Sequence, residues 1–157
     1  MKFAILSIAC VAALSASSAM AAGDAALEAP IHTFIDDFNK GDAAGAAATF
    51  LPSVSIIDEV PPHIWTGSKA FATWAADLTK NDMAKGISKE AVELGAVKRE
   101  VVSGKTAYVI IAATYSFEQN GKAMHEVSQM TYAMRKTADG WKIAGWTWTG
   151  PNATPVK

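Results

Sequence analysis

Histidine, cysteine and serine are the residue types that most often signal a metal centre or a nucleophile, and in this chain none of them stands in a productive spacing. His32, His63 and His125 form no H-x-H or H-E-x-x-H pattern, so no metal ligand set is expected. The single cysteine, Cys10, lies in an amino-terminal apolar run, and no G-x-S-x-G elbow is present, so no activated nucleophile can be named. The carboxylates are more informative. Asp58 closes the short run Val54-Ser55-Ile56-Ile57 and is followed by Glu59-Val60-Pro61-Pro62. A strand-end carboxylate commonly bonds to the backbone of its own turn, but Pro61 and Pro62 remove two of the donors it would use. That favours a side chain directed inward over one that caps its turn, and both readings stand.

Alternation along the later sequence groups further candidates. Ile111, Ala113 and Tyr115 share one parity, and Glu126, Ser128, Met130 and Tyr132 share one face of the next run. Trp146 and Trp148 share a parity near the end. With Trp65 and Trp74 they form a tryptophan group that serves either as core or as the wall of an apolar slot for flat, greasy molecules. Glu126 is expected at a rim, in water near a hairpin end, because burying a charge is costly.

The elements that position these residues follow from periodicity. From Pro30, suited to a first helical turn, Ile31, Phe34, Ile35 and Phe38 make one helix stripe, which Gly41 ends. Asp42 caps a short Ala-rich helix from Ala43 to Phe50, closed by Leu51-Pro52. Val54 to Ile57 and a piece near His63 to Trp65 read as short strands. Phe71, Trp74, Ala75 and Leu78 form a third stripe with Ser68 as its N-cap. After Gly86 the period falls from 3.6 to 2. Strands are expected over Ala91 to Val97, Thr106 to Glu118, Lys122 to Lys136 and Trp141 to Trp148, divided by Ser103-Gly104, Asn120-Gly121 and Asp139-Gly140. Asn120-Gly121 between two alternating runs is a strong hairpin signal. The order defines an α+β domain with a mainly antiparallel sheet and its helices on one face.

Met1-Lys2, the apolar run Phe3 to Leu14 and Ala19-Met20-Ala21 have the form of a signal peptide spanning residues 1–21, leaving one domain over 22–157. The run is too short for a membrane span, so secretion, most simply to a bacterial periplasm, is expected, with no membrane attachment after cleavage. The mature chain then has no cysteine and no disulfide. Lipidation at Cys10 is disfavoured, since Ser7-Ile8-Ala9-Cys10 lacks the usual leucine. With 14 basic and 15 acidic residues and no basic cluster, nucleic acid is not an expected partner. No cofactor motif is present.

Phe38-Asn39-Lys40-Gly41-Asp42, then Phe50-Leu51-Pro52 into Val54-Ser55-Ile56-Ile57-Asp58, Thr66-Gly67 and the closing Asp139-Gly140-Trp141-Lys142-Ile143 with Trp146 and Trp148 occur in an order that resembles the NTF2-like superfamily. The resemblance is to its SnoaL-like and ketosteroid-isomerase-like members and covers nearly the whole mature chain. It implies a curved sheet wrapped by three helices into a cone, with the two parity sets and both late tryptophans facing in. It also implies that Asp58 occupies the position of the isomerase general base, where aromatic walls would raise its proton affinity. The oxyanion hole of ketosteroid isomerase pairs a tyrosine with a protonated aspartic acid. Here those positions carry Phe34, which cannot donate, and Tyr132, so one neutral donor replaces two and steroid isomerisation itself is not implied.

Three functions remain open at this stage. One is an enzyme in which Asp58 moves a proton and Tyr132 orients an oxygen, as in an isomerase, cyclase or dehydratase. Another is a binding protein for a small apolar molecule, lined by Phe34, Trp65, Trp74, Tyr115, Glu126, Ser128, Met130, Trp146 and Trp148. The last is a structural module. Tyr108, Ile110 and Ala112 make one strand apolar on its outer face too, which calls for a cover, and a homodimer through that sheet is expected.

Overall fold

A computed structural model describes residues 24–156. The amino-terminal apolar run, Cys10 and the cleavage position at Ala21 lie outside the described residues.

The first helix, α1 (Ala25–Lys40), begins earlier than Pro30 suggests. Asp24 caps it, its carboxylate accepting the Ala26 N–H at 3.0 Å, and Leu27 adds a buried turn to the stripe of Ile31, Phe34 and Ile35. Pro30 is tolerated one turn in, where its missing N–H costs a single bond. α2 (Ala43–Ala48) is capped by Asp42 but stops short of Phe50. The Thr49 carbonyl instead accepts the Ile143 N–H at 3.0 Å, which draws the chain into the sheet. Phe50 therefore opens β1 (Phe50–Ile57), which runs through Pro52. The β1 pairing with its sheet neighbour is irregular between Phe50 and Ser55, which is where a residue without an N–H can sit.

β2 (Ile64–Gly67) pairs antiparallel with β1, and α3 (Ala70–Lys85) follows. Ser68 does not cap α3: Lys69 holds the N-cap position, and no side chain bonds there. β3 (Ile87–Ser103), β4 (Thr106–Gln119), β5 (Lys122–Thr137) and β6 (Gly140–Thr149) form the meander, and a short β7 (Thr154–Pro155) pairs with β5. β3 is more than twice the length its alternation suggests. Register breaks at Ser88/Ala91, Leu94/Val97 and Val97/Arg99 interrupt its period, and such bulges bend and twist a sheet.

The strand order is β2-β1-β6-β5-β4-β3, antiparallel except where β1 meets β6. Asn120 and Gly121 both have positive φ, 50° and 79°, and Gln119 pairs with Lys122, so the expected two-residue hairpin is there. At Gly145 a Cβ would lie 2.6 Å from the Ser55 carbonyl oxygen, so only glycine lets β1 come this close to β6. The core lies between α1, α3 and the inner sheet face, built on Phe34, Trp74, Ile111, Met130, Ile143 and Trp146.

Candidate functional site

The core does not fill the space between helices and sheet. A cavity of about 460 Å³ opens at the end of the sheet where the β1–β2 turn, the last turns of α3 and the β4–β5 hairpin meet. That size suits a small organic ligand.

Its closed end is aromatic. Trp74 of α3 and Trp146 of β6 meet edge to face, with centroids 5.1 Å apart, and Phe34 of α1 packs on both. Tyr115 and Trp148 meet edge to face at 6.1 Å on the sheet side. Met130 joins the same wall.

Asp58, just past the end of β1, lines the cavity and does two things at once. Its Oδ2 accepts the Trp74 indole N–H at 2.8 Å, and its Oδ1 accepts the Val60 N–H at 3.3 Å. The two readings of this residue therefore coexist: the carboxylate faces inward and also caps its own turn. The prolines removed donors at 61 and 62 but left Val60's. Burial pushes the Asp58 carboxyl above its ordinary pKa, against the opposing bonds from Trp74 and Val60.

Tyr132 does not share this wall. It is fully buried, its hydroxyl donates to the Met130 sulfur at 3.1 Å, and it is not among the residues lining the cavity. Parity put it on the correct face, beside its cross-strand partner Trp146, but it is sealed in the core and does not reach the cavity. Burial holds its phenol well above the usual tyrosine range. Trp65 is also absent from the lining: its N–H donates to Asp77 at 2.9 Å and ties β2 to α3.

Glu126 is not a rim residue in water. It is 2% exposed, and its Oε1 accepts both the Trp148 indole N–H at 2.7 Å and the Ser128 hydroxyl at 2.6 Å. Those two donors make the burial tolerable. Ser128 supports Glu126 and does not itself reach the lining. Phe34, Trp74, Tyr115, Met130, Trp146 and Trp148 line the cavity with Asp58 and Glu126.

Three further carboxylates complete the site: Glu59, Asp82 and Glu90. Asp82 is 6% exposed, with a bond from Asn81 at 3.1 Å, and burial followed by the Glu90 charge raises its pKa to about 6. Glu90 accepts the Tyr115 hydroxyl at 2.7 Å. Glu59 is raised by burial and by the charges of Glu126 and Asp58. Position alone relates two of them to the site. Asp82 lies one helical turn past Leu78, and Glu90 shares the parity of Val92 and Leu94. Among the described residues no three His, Cys, Asp or Glu side chains converge closely enough to hold a metal ion.

A curved, unclosed sheet of mostly antiparallel strands, three helices and a cavity between them define an NTF2-like cone. The sequence model of the SnoaL-like domain matches residues 27–147, and the chain belongs to that family. Solved structures agree at the level of fold. An NTF2-like superfamily protein from Salmonella enterica is 22% identical, with a TM-score of 0.64 over 82% of this chain and 90% of its own. A ketosteroid isomerase-like protein from Erwinia carotovora is 20% identical, with a TM-score of 0.63 over 82% of this chain and 95% of its own. A hexachlorocyclohexane dehydrochlorinase is 13% identical, with a TM-score of 0.69 over 85% of this chain and 88% of its own. No curated protein matches the sequence.

Proposed function

We propose that this SnoaL-like protein binds a small, largely apolar molecule in its cone and acts on it by acid/base chemistry, with Asp58 as the group that moves the proton. The isomerase, cyclase and dehydratase reactions named above all need a carboxylate that takes a proton next to an activating group and returns it elsewhere. The observation that carries the reading is Asp58 itself, a carboxylate on an aromatic cavity wall whose proton affinity is raised by burial and whose orientation is fixed by Trp74. Tyr132 is withdrawn from the role of orienting an oxygen, because its hydroxyl is spent on Met130.

The same withdrawal favours a second reading, a binding protein that does not turn its ligand over. An acid/base enzyme that makes an enolate needs donors aimed at the developing oxyanion, and the cavity's phenol, Tyr115, already donates to Glu90. Hydrogen–deuterium exchange at the α-carbon of a panel of cyclic enolisable ketones separates the two. On the first reading the protein accelerates exchange, and Asp58→Asn lowers the rate by about two to four orders of magnitude while binding persists. Binding without any exchange removes the catalytic reading and leaves the binding protein.

Two further parts of the proposal concern setting. The amino-terminal segment directs the chain to the periplasm or outside the cell, supported by the sequence form of residues 1–21. The functional unit is a homodimer formed through the sheet face turned away from the helices, supported by exposed Tyr108 and Val127 on adjacent strands. No described helix is long and apolar enough to cross a membrane.

A further inference from the structure

The apolar ligand expected from the tryptophans leaves the charge of the cavity unexplained. Five carboxylates line it, Asp58, Glu59, Asp82, Glu90 and Glu126, against one ammonium, Lys85. Glu126 is the decisive member. It is 98% withdrawn from solvent and forms part of the cavity wall, and both of its donors, Trp148 and Ser128, bond to the same oxygen, Oε1. Its Oε2 has no hydrogen-bond partner among the described residues. That oxygen is not sealed from solvent, so it is free to accept a donor or meet a counter-charge inside the cavity, and Lys85 is an exposed side chain at the end of α3. Asp82 has the same character, buried, with only Asn81 bonded to one of its oxygens.

From this geometry we infer that the molecule held in the cone is an organic cation, a protonated amine or quaternary ammonium on a flat or apolar body. The inference rests on the reading of the cavity as a small-molecule site and names the class of ligand. Both halves of such a molecule find a partner. The indole and phenyl faces of Trp74, Trp146, Trp148 and Phe34 accept the apolar body and attract a nearby cation through their quadrupoles. The carboxylates accept its N–H groups or neutralise its charge. They are also dispersed, with no three ionisable ligands converging on a point, which fits a cation several ångströms across better than a bare metal ion. Burial raises the proton affinities of Asp58, Glu59 and Asp82, and repulsion from neighbouring carboxylates adds to it at Glu59 and Asp82, as expected of a cavity that has an excess of negative charge.

Calorimetric titration with three probes of one shape tests this: 2-naphthylmethylammonium, the neutral 2-naphthylmethanol and the anionic 2-naphthoate. The expected result is that the ammonium binds about ten- to a hundredfold more tightly than the alcohol, and the carboxylate more weakly than either. Glu126→Gln should remove most of the ammonium's advantage while leaving the alcohol's affinity in place. Because Glu126 also anchors Trp148, Asp82→Asn serves as a second variant on a different element, with thermal melting to show that each variant is folded. Equal binding of alcohol and ammonium overturns the cationic ligand and leaves the cavity reading intact. Failure of all three probes to bind overturns both. A full ammonium preference in both folded variants also overturns the inference.

Discussion

Asp82 shows most directly what a single misplaced-looking residue does in this fold. It lies one turn past an apolar helical stripe, so its carboxylate is carried under the sheet, and burial lifts its pKa to about 6 from an ordinary 3.8. A carboxyl raised in the folded state stabilises the fold fully only while protonated. Its contribution is present below about pH 4 and is lost as the pH rises through 6. Asp82→Asn should therefore be more stable than the parent at pH 7 by on the order of 1 kcal/mol, with little difference at pH 4. Urea unfolding at the two pH values measures both. Asp58 and Glu59 are raised in the same direction, so some acid stabilisation should survive in the variant. Glu126 is legible at the site from strand parity, whereas Asp82 is not, because the apolar stripe of Phe71, Trp74, Ala75 and Leu78 ends before it and a carboxylate one turn on does not read as part of that stripe. What parity could not supply was depth. Tyr132 and Glu126 share one face of β5, yet one is sealed in the core beside Trp146 and the other opens into the cavity. Depth depends on which neighbouring strand and helix lie above each position, and a local pattern does not contain that.

At the scale of elements, hairpins were the most legible and element ends the least. Two-residue turns carry their own chemistry, as Asn120-Gly121 does with its two positive φ angles. The ends of α2 and β3 are set by partners distant in sequence: the Ile143 N–H draws Thr49 out of a helix, and β4 holds β3 through three register breaks. Asn39 belongs to this class of long-range device. It sits in the Phe38-to-Asp42 segment that carried the family resemblance, and its side chain clamps β3. Its Nδ2 donates to the Val92 carbonyl at 2.8 Å, and its Oδ1 accepts the Val92 N–H at 2.8 Å. β3 is an edge strand, so one amide side chain stands in for a missing strand at the point where α1 crosses it. Asn39→Ala leaves both Val92 backbone groups without partners and should cost about 1–3 kcal/mol in urea unfolding. Asn39→Asp keeps the acceptor for the Val92 N–H but sets an anionic oxygen against the Val92 carbonyl, so it should also be less stable than the parent. Equal stability of Asn39→Ala and the parent would show that water replaces the clamp.

The whole molecule leaves one feature that a single cone does not account for. The helices cover the inner face of the sheet, with α1 on β3 and β6 and α3 on β1. On the outer face Tyr108 is 42% exposed and Val127 65% exposed, and Ile110 and Ala112 lie half-buried between them on β4. The mixed neighbours His125, Gln129, Thr131 and Arg135 give this patch a polar margin of the kind a subunit interface has, whereas a second core layer would be uniformly apolar. A twofold pairing through the face would bury the same residues on both copies, so one charge introduced at its centre is introduced twice and meets itself across the axis. Light scattering on the chain lacking residues 1–21, at about 50 micromolar, should give twice the monomer mass, a concentration at which even a weak specific interface is populated. Ile110→Lys should give the monomer mass with its thermal unfolding still cooperative, because Ile110 points away from the core. A parent that scatters as a monomer would refute the dimer. A dimeric Ile110→Lys variant would move the interface off this sheet face.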